Sequence, residues 1–257
     1  NTGTLTNMTQ ATSTVAGKVG QGLLFDGVDD YVSAGSAAIL DDMSQFSFSA
    51  WVYGRGYGEA SQGWIIGKAN FSAGWHLQSD SFGNILQFLV GYNTTDLVVE
   101  TTGLSATFNQ WTHWVVTWDG STTAANVHIY KNGQEVTYST QTNASGTRDS
   151  EAAQNLVIGN MGTDRTFDGI IDDVRLYNRA LTTTEISQLY VAGQNKYGIT
   201  VSTPQNPLQS GLVGWWTMDG KDTPWTSATA ATTLDKSGNS NTGTLTNMTQ
   251  ATSTVAG

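Results

Sequence analysis

The stretch GIIDDVRLYNRALTTTEI (residues 169–186) decides the fold. Its first half, Gly169 to Tyr177, alternates branched apolar and polar residues and predicts a β-strand. Period-two alternation sets Asp172 on one face with Ile170, Val174 and Leu176, the apolar and therefore inward face. A carboxylate there is costly unless it is paired, hydrogen-bonded or bound to a metal. The second half turns at Asn178-Arg179 and opens a short helix, ALTTTEISQLYVAG (180–193). Thr182 or Thr183 caps it, Glu185 lies in its first turn, and Gly193 ends it. Ile186, Leu189 and Tyr190 form its apolar face.

Outward from this stretch the pattern is β almost throughout. Segments 22–25 and 30–33 flank an acidic turn containing Asp26, Asp29 and Asp30. FSFSAWVY (46–53), ILQFLVGY (85–92), DLVVETT (96–102), WTHWVVTWDG (111–120) and NLVIGN (155–160) read as strands. NVHIYKNGQEVTY (126–138) is a hairpin, because Asn132-Gly133 supplies the two positive φ angles of a tight turn. Turn signals recur at the spacing of a two-sheet sandwich.

Composition bounds the function. The chain has 257 residues, 38% hydrophobic and 10% aromatic, enough for a sizeable core. Only 12% of residues are charged, so Thr, Ser, Asn and Gly fill the surface, as in many secreted β proteins. The net charge is −10 and the 11 Lys and Arg are scattered, which argues against nucleic acid and acidic lipid as partners. There is no cysteine, hence no disulfide and no thiolate chemistry. No apolar run reaches the length of a membrane span, so membrane insertion is not expected. None of the five Glu (59, 100, 135, 151, 185) has an Asp two positions later, as a paired-carboxylate glucanase strand would. His76, His113 and His128 lie in strand patterns, with no HExxH or Ser-His-Asp arrangement. The chain reads as a non-enzyme.

An internal repeat governs the organisation. NTGTLTNMTQATSTVAG occupies residues 1–17 and returns unchanged at 241–257, an offset of 240. Identity over that length predicts tandem copies about 240 residues long. GLVGWWTMDG (211–220) is a strand without a counterpart at the start, after a polar linker at 194–210.

In circular order, GLVGWWTMDG, LDKSGNSNTGTL (234–245), GKVGQGLLFDGVDDYV (17–32), FSFSAWVY, WTHWVVTWDG with IYKNGQEV (129–136), and GIIDDVRLYNRALTTTEI resemble laminin-G-like, concanavalin A-like jelly-roll modules of bacterial surface proteins. The resemblance implies an all-β fold, a two-sheet antiparallel jelly-roll β-sandwich with one short C-terminal helix. It casts 1–193 as a body lacking its own first strand, and 211–257 as the first strand and loop of the next repeat. That piece either folds back or completes a neighbour. The resemblance also implies a structural Ca²⁺ near Asp172, Asp235, Asn239 and Asn241, oxygen donors suited to that ion. Tyr53, Tyr57, Trp64, Trp75 and Tyr92 are the candidate sugar-contacting aromatics, while Trp51, Trp111, Trp114 and Trp118 read as core. The expected role is an extracellular or cell-surface repeat: a subunit of a stalk, sheath or filament joined to neighbouring repeats or copies of itself by strand donation. The alternative is a glycan-binding adhesin acting through multivalency.

Overall fold

The computed structural model describes residues 4–6, 14–70, 73–82, 84–103, 108–161, 164–194, 207–217, 219–222, 224–227 and 230–246. They form β1 (Thr4–Thr6), β2 (Thr14–Ala16), β3 (Gln21–Asp26), β4 (Tyr31–Gly35), β5 (Phe46–Gly54), β6 (Gln62–Ala69), β7 (Gly74–Asp80), β8 (Ile85–Val90), β9 (Leu97–Thr101), β10 (Thr112–Trp118), β11 (Val127–Lys131), β12 (Gln134–Glu135), β13 (Tyr138–Thr142), β14 (Leu156–Ile158), β15 (Asp168–Tyr177), α1 (Thr183–Gln194), β16 (Leu212–Trp216), β17 (Trp225–Ser227), β18 (Ala230–Thr233) and β19 (Gly243–Thr246). The first sheet runs β13-β9-β8-β7-β6-β14-β4-β19-β18-β17, with β1 also on β4. The second runs β12-β11-β10-β5-β15-β3-β2, with β16 also on β15. Together they make a two-sheet antiparallel jelly-roll sandwich with one α-helix among the described residues. Most of the linker expected at 194–210 lies outside the described residues.

The core is the shared inner face of the two sheets. Alternate residues of β5 (Phe46, Phe48, Ala50, Val52), β8 (Leu86, Phe88, Val90) and β10 (Trp114, Val116, Trp118) point into it. Trp75 of β7 lies between Phe46 and Phe48, with ring centroids 4.5 and 5.7 Å away. The β11–β12 hairpin turns on Asn132 and Gly133, whose φ angles are +53° and +79°.

Strand β15 departs from simple alternation. Its register against β5 slips between Asp172 and Arg175, and Asp173 takes φ +48°. This is a β-bulge. Ile171, Val174 and Leu176 face the core, whereas Ile170 and Asp172 lie on the opposite side, both against Gly22. The expectation that Asp172 shares the inward face with Val174 is therefore corrected: the bulge flips the face between them. The bulge also divides one edge of β15. Residues 168–171 pair with β3, and residues 174–177 pair with β16. The segment Leu212–Trp216 thus folds back onto the chain's own body.

The outer face of the second sheet is covered. Helix α1 places Ile186 and Leu189 against Val115, Tyr130, Tyr177 and Leu212. Tyr190 stacks on Trp51, centroids 5.7 Å apart, and Trp51 lies against His113 at 5.0 Å with the rings tilted. A Cβ on Gly193 would lie 2.1 Å from the Trp51 indole nitrogen, so only glycine lets the helix end approach this closely. Trp51 is buried under the helix, Trp114 and Trp118 lie in the core, and Trp111 is half-buried.

The helix start is a reciprocal cap. Thr182 Oγ1 accepts from Glu185 N at 3.3 Å, and Glu185 Oε2 accepts from Thr182 N at 2.9 Å. Arg179 grips the same carboxylate with two bonds of 2.9 and 2.7 Å. The Arg179 guanidinium holds the Glu185 carboxyl down to about 2, against a burial effect of opposite sign. Because the folded value is depressed, the stabilisation is complete above pH ~4.5 and is lost as pH falls from there towards 2. Glu185→Gln is expected to destabilise the protein by roughly 2–3 kcal/mol at pH 7. Melts of wild type and variant across pH 7 to 2 should converge in acid; a pH-independent gap would contradict the assignment.

Candidate functional site

The four residues expected around calcium fall into two places. Asp172 is buried beneath the turn between β2 and β3, where its Oδ2 accepts from Lys18 N and Val19 N at 2.7 and 2.8 Å. Burial, aided by Asp173 and Asp219, pushes its carboxyl up to about 8 against the pull of the Val19 amide. Its Oδ1 is buried without a partner. Asp235 instead organises its own loop. Its Oδ1 accepts from Trp215 N and Ser237 N, and its Oδ2 from Ser237 Oγ and Asn241 N, all within 3.0 Å. Asn239 and Asn241 donate their amides to Leu212 O and Val213 O. Among the described residues the two groups share no hydrogen-bond partner. Three of the four residues tie the 235–241 loop to β16.

Carboxylates do converge in the β3–β4 turn. One oxygen each from Asp26, Asp29 and Asp30 lie within 4.8 Å of one another. Asp30 is buried, and burial followed by the neighbouring Asp26 pushes its carboxyl up to about 7.

The candidate aromatics do not gather either. Tyr53 is half-buried on β5 with its ring against Trp111. Tyr57 is half-buried in the following loop, its hydroxyl donating to Asn84 at 2.6 Å. Trp75 and Tyr92 belong to the core cluster, and Trp75 is fully buried, so its ring has no face for a ligand. Trp64 is the third residue of β6 and Trp75 the second of β7, both close to the strand starts. Trp64 is buried and stacks on His76 at 4.6 Å.

That stack leads to the site that sequence reasoning missed. On the outer face of β6, β7 and β8 lies a cleft of about 310 Å³. Its lining includes Gln62, His76, Gln78, Asp80, Gln87 and Arg165. Pleating explains the set: these β7 and β8 residues alternate with inward Trp75, Leu77, Leu86 and Phe88. A hydrogen-bonded relay crosses the strands. Arg165 donates to Gln78 at 3.0 Å, Gln78 to Gln87 at 3.2 Å, and Gln87 to Glu100 at 2.8 Å. Gln62 donates to Asp80 at 2.6 Å. Burial, with Arg165 adding to it, drives the His76 imidazole down to about 3, so it is neutral. His76 Nε2 and Trp64 Nε1 are buried without partners beside the cleft. A second cleft of about 430 Å³ shares Asp80 and is lined by Glu100, Thr102, Ser139 and Phe82. Phe82 is 98% exposed, and its amide donates to Asp80 at 2.7 Å. The only sequence signal for this platform was a large aromatic in a polar turn, Ser79 to Asn84.

The chain belongs to the concanavalin A-like lectin/glucanases superfamily: the Laminin_G_3 family model matches residues 26–187. Among solved structures it is similar to a candidate carbohydrate binding protein from Bacteroides ovatus ATCC 8483. Identity there is 18%, with a TM-score of 0.60, covering 88% of this chain and 58% of that one. It is also similar to the binding domain of Paraclostridial Mosquitocidal Protein 1 (11% identity, TM-score 0.55, 72% and 46% covered). The Botulinum neurotoxin serotype G binding domain follows (20%, TM-score 0.53, 74% and 46%). The chain thus spans about half the length of these structures. No curated protein matches it. No helix among the described residues is long and apolar enough to cross a membrane.

The Asp235 geometry makes a clean prediction. Asp235→Ala removes four hydrogen bonds to a carboxylate and is expected to cost about 2–4 kcal/mol. The loss measured by urea unfolding should be the same in calcium and in chelator; a loss confined to calcium would restore a metal role.

Proposed function

We propose that this chain is a non-catalytic, extracellular carbohydrate-binding module whose ligand lies across the outer face of β6, β7 and β8. One observation carries the reading: a track of amide and carboxylate side chains leads from Arg165 through Gln78 and Gln87 to Glu100, beside the exposed ring of Phe82. Sugars present hydroxyls in plane and C–H groups on their faces. Planar amides match the first, and an exposed aromatic ring matches the second. The cleft volume is that of a small-ligand site, with a few convergent polar groups. Asp80 and Glu100 act here as acceptors that orient glutamines. Similarity to a candidate carbohydrate binding protein agrees with this reading. The low-charge surface rich in Thr, Ser and Asn agrees with a location outside the cell. Affinity electrophoresis against a panel of soluble polysaccharides is the test. Phe82→Ala should weaken the retained glycan about tenfold without lowering the melting temperature. Gln78→Ala, which strands Arg165 and Gln87 at a buried position, should weaken it about as much and also lower the melting temperature, and no reducing ends should appear. Unchanged retention in both variants would remove the site.

A second reading is favoured by a separate observation, the identity of residues 1–17 and 241–257. Such a module would stand in an array of copies, a surface stalk, sheath or filament, in which weak glycan sites gain strength by multivalency. An antibody raised to this chain should then detect a native polypeptide of several times 27.4 kDa. A native species near the mass of one copy would exclude the array.

A further inference from the structure

The two identical segments meet at one place. β1 is Thr-Leu-Thr, and the same three residues recur 240 positions later within β19, Gly-Thr-Leu-Thr. Both lie antiparallel to β4, and in both the first Thr falls opposite the same residue: Thr4 pairs with Ser33, and Thr244 pairs with Ser33. A strand has two edges. On β4 one edge is held by β14, with Val157 opposite Ser33 and Ile158 opposite Val32. A single edge therefore remains for two equivalent occupants. Their backbone groups and side chains are identical, so local strand pairing cannot prefer one over the other.

The copies differ in where they are tethered. The N-terminal copy is held at its far end, because Thr14–Ala16 pair as β2 with Gln21–Leu23 of β3. The C-terminal copy is held at its near end. Asn241 is buried, its carbonyl accepts from the Trp216 indole at 2.8 Å, and its amide nitrogen donates to Asp235 at 2.9 Å. By sequence identity, residues 254–256 carry the same Thr-Val-Ala that pairs with β3. One segment of this sequence thus has a near end made for β16 and its loop, and a far end made for β3.

We propose that the β4–β3 edge is a single acceptor for the segment NTGTLTNMTQATSTVAG, that either copy fills it, and that residues 241–257 of one molecule dock on this edge of a second copy of this chain. The near end stays buried against Trp216 of the donor, while the middle and far end pair with β4 and β3 of the acceptor. The contact is head to tail, so it propagates as an open chain and does not close as a symmetric dimer. The inference rests on the array reading and names what would join neighbouring copies in it.

The absence of cysteine makes the test direct. In the full chain, Ser33→Cys is combined with Thr4→Cys or, separately, with Thr244→Cys. Both pairs should form an intramolecular disulfide under mild oxidant. An acceptor carrying Ser33→Cys, Leu5→Pro and Leu245→Pro, both of its own strands blocked, is then mixed with a donor carrying Thr244→Cys. A reducible heterodimer should form in proportion to donor concentration. It should fall at least fivefold when the donor also carries Leu245→Pro. If the doubly blocked acceptor does not fold, Ser33→Cys with Leu5→Pro alone serves, and the heterodimer should appear slowly as its own β19 exchanges out. A folded acceptor that never cross-links to residue 244 of another chain overturns the docking. Failure of Ser33→Cys to cross-link to residue 244 within the chain overturns the shared edge. Neither result bears on the mass of the native polypeptide, which tests the array separately.

Discussion

The bulge at Asp172 and Asp173 is the constraint on which the rest of the architecture depends. A regular strand would keep one neighbour along its whole edge. The slip in β15 ends pairing with β3 at Ile171 and begins pairing with β16 at Val174. The two aspartates then work in opposite directions. Asp172 holds the β2–β3 turn through the amides of Lys18 and Val19. Asp173 accepts from the Trp215 indole at 2.7 Å on β16, and Arg175 pairs with it at 3.0 Å while lying over the Trp215 ring. Sequence from the two ends of the chain is thereby fastened to one strand, side by side. A buried carboxyl on the outer side of this strand is tolerated because burial favours its neutral form and backbone amides satisfy one of its oxygens.

This arrangement also decides which surface is free. The outer face of the second sheet takes α1 over Trp51, His113 and Tyr177. Its polar positions on β5, such as Ser47 and Ser49, are buried as a result. The first sheet carries no helix among the described residues, so its outward glutamines and Asp80 keep a solvent-facing cleft. One sheet is covered on both faces, and the other has a core on one face and a polar cleft on the other.

The sequence made the second sheet legible and much of the first obscure, for a physical reason. β5, β10, β11 and β15 alternate large apolar residues with small or polar ones, and the Asn132-Gly133 turn fixes a hairpin register. The helix was legible from Thr182 and Glu185, because a cap is a local interaction. β6 and β7 gave no such pattern. β6 has glycines at 63 and 67 and a register slip between Trp64 and Ile66; β7 offers only Trp75 and Leu77 as inward apolar residues. Its other positions, His76, Gln78 and Asp80, are polar because they line the cleft. The features that hid these strands are those that make the site. Aromatic residues were a poor guide, since a sandwich core uses Trp75 as packing. The sugar-facing candidate, Phe82, stands in a turn where no periodicity singles it out.

The loop at 235–241 builds its own connection to the fold. Asp-x-Ser-Gly-Asn-x-Asn supplies oxygens at short spacing, which suggests an ion. Here the same short side chains close on backbone: Asp235 collects amides, and Asn239 and Asn241 reach carbonyls of β16. Every bond made this way fixes the start of the second copy of the repeated segment against Trp216. The loop is therefore a hinge post for whatever follows Asn241. Because β4 has one free edge for two equal strands, the firmness of that post decides which strand is held close enough to take it. A few side chain to backbone bonds at the start of one segment can thus set which of two identical strands takes the edge, with no difference between the strands themselves.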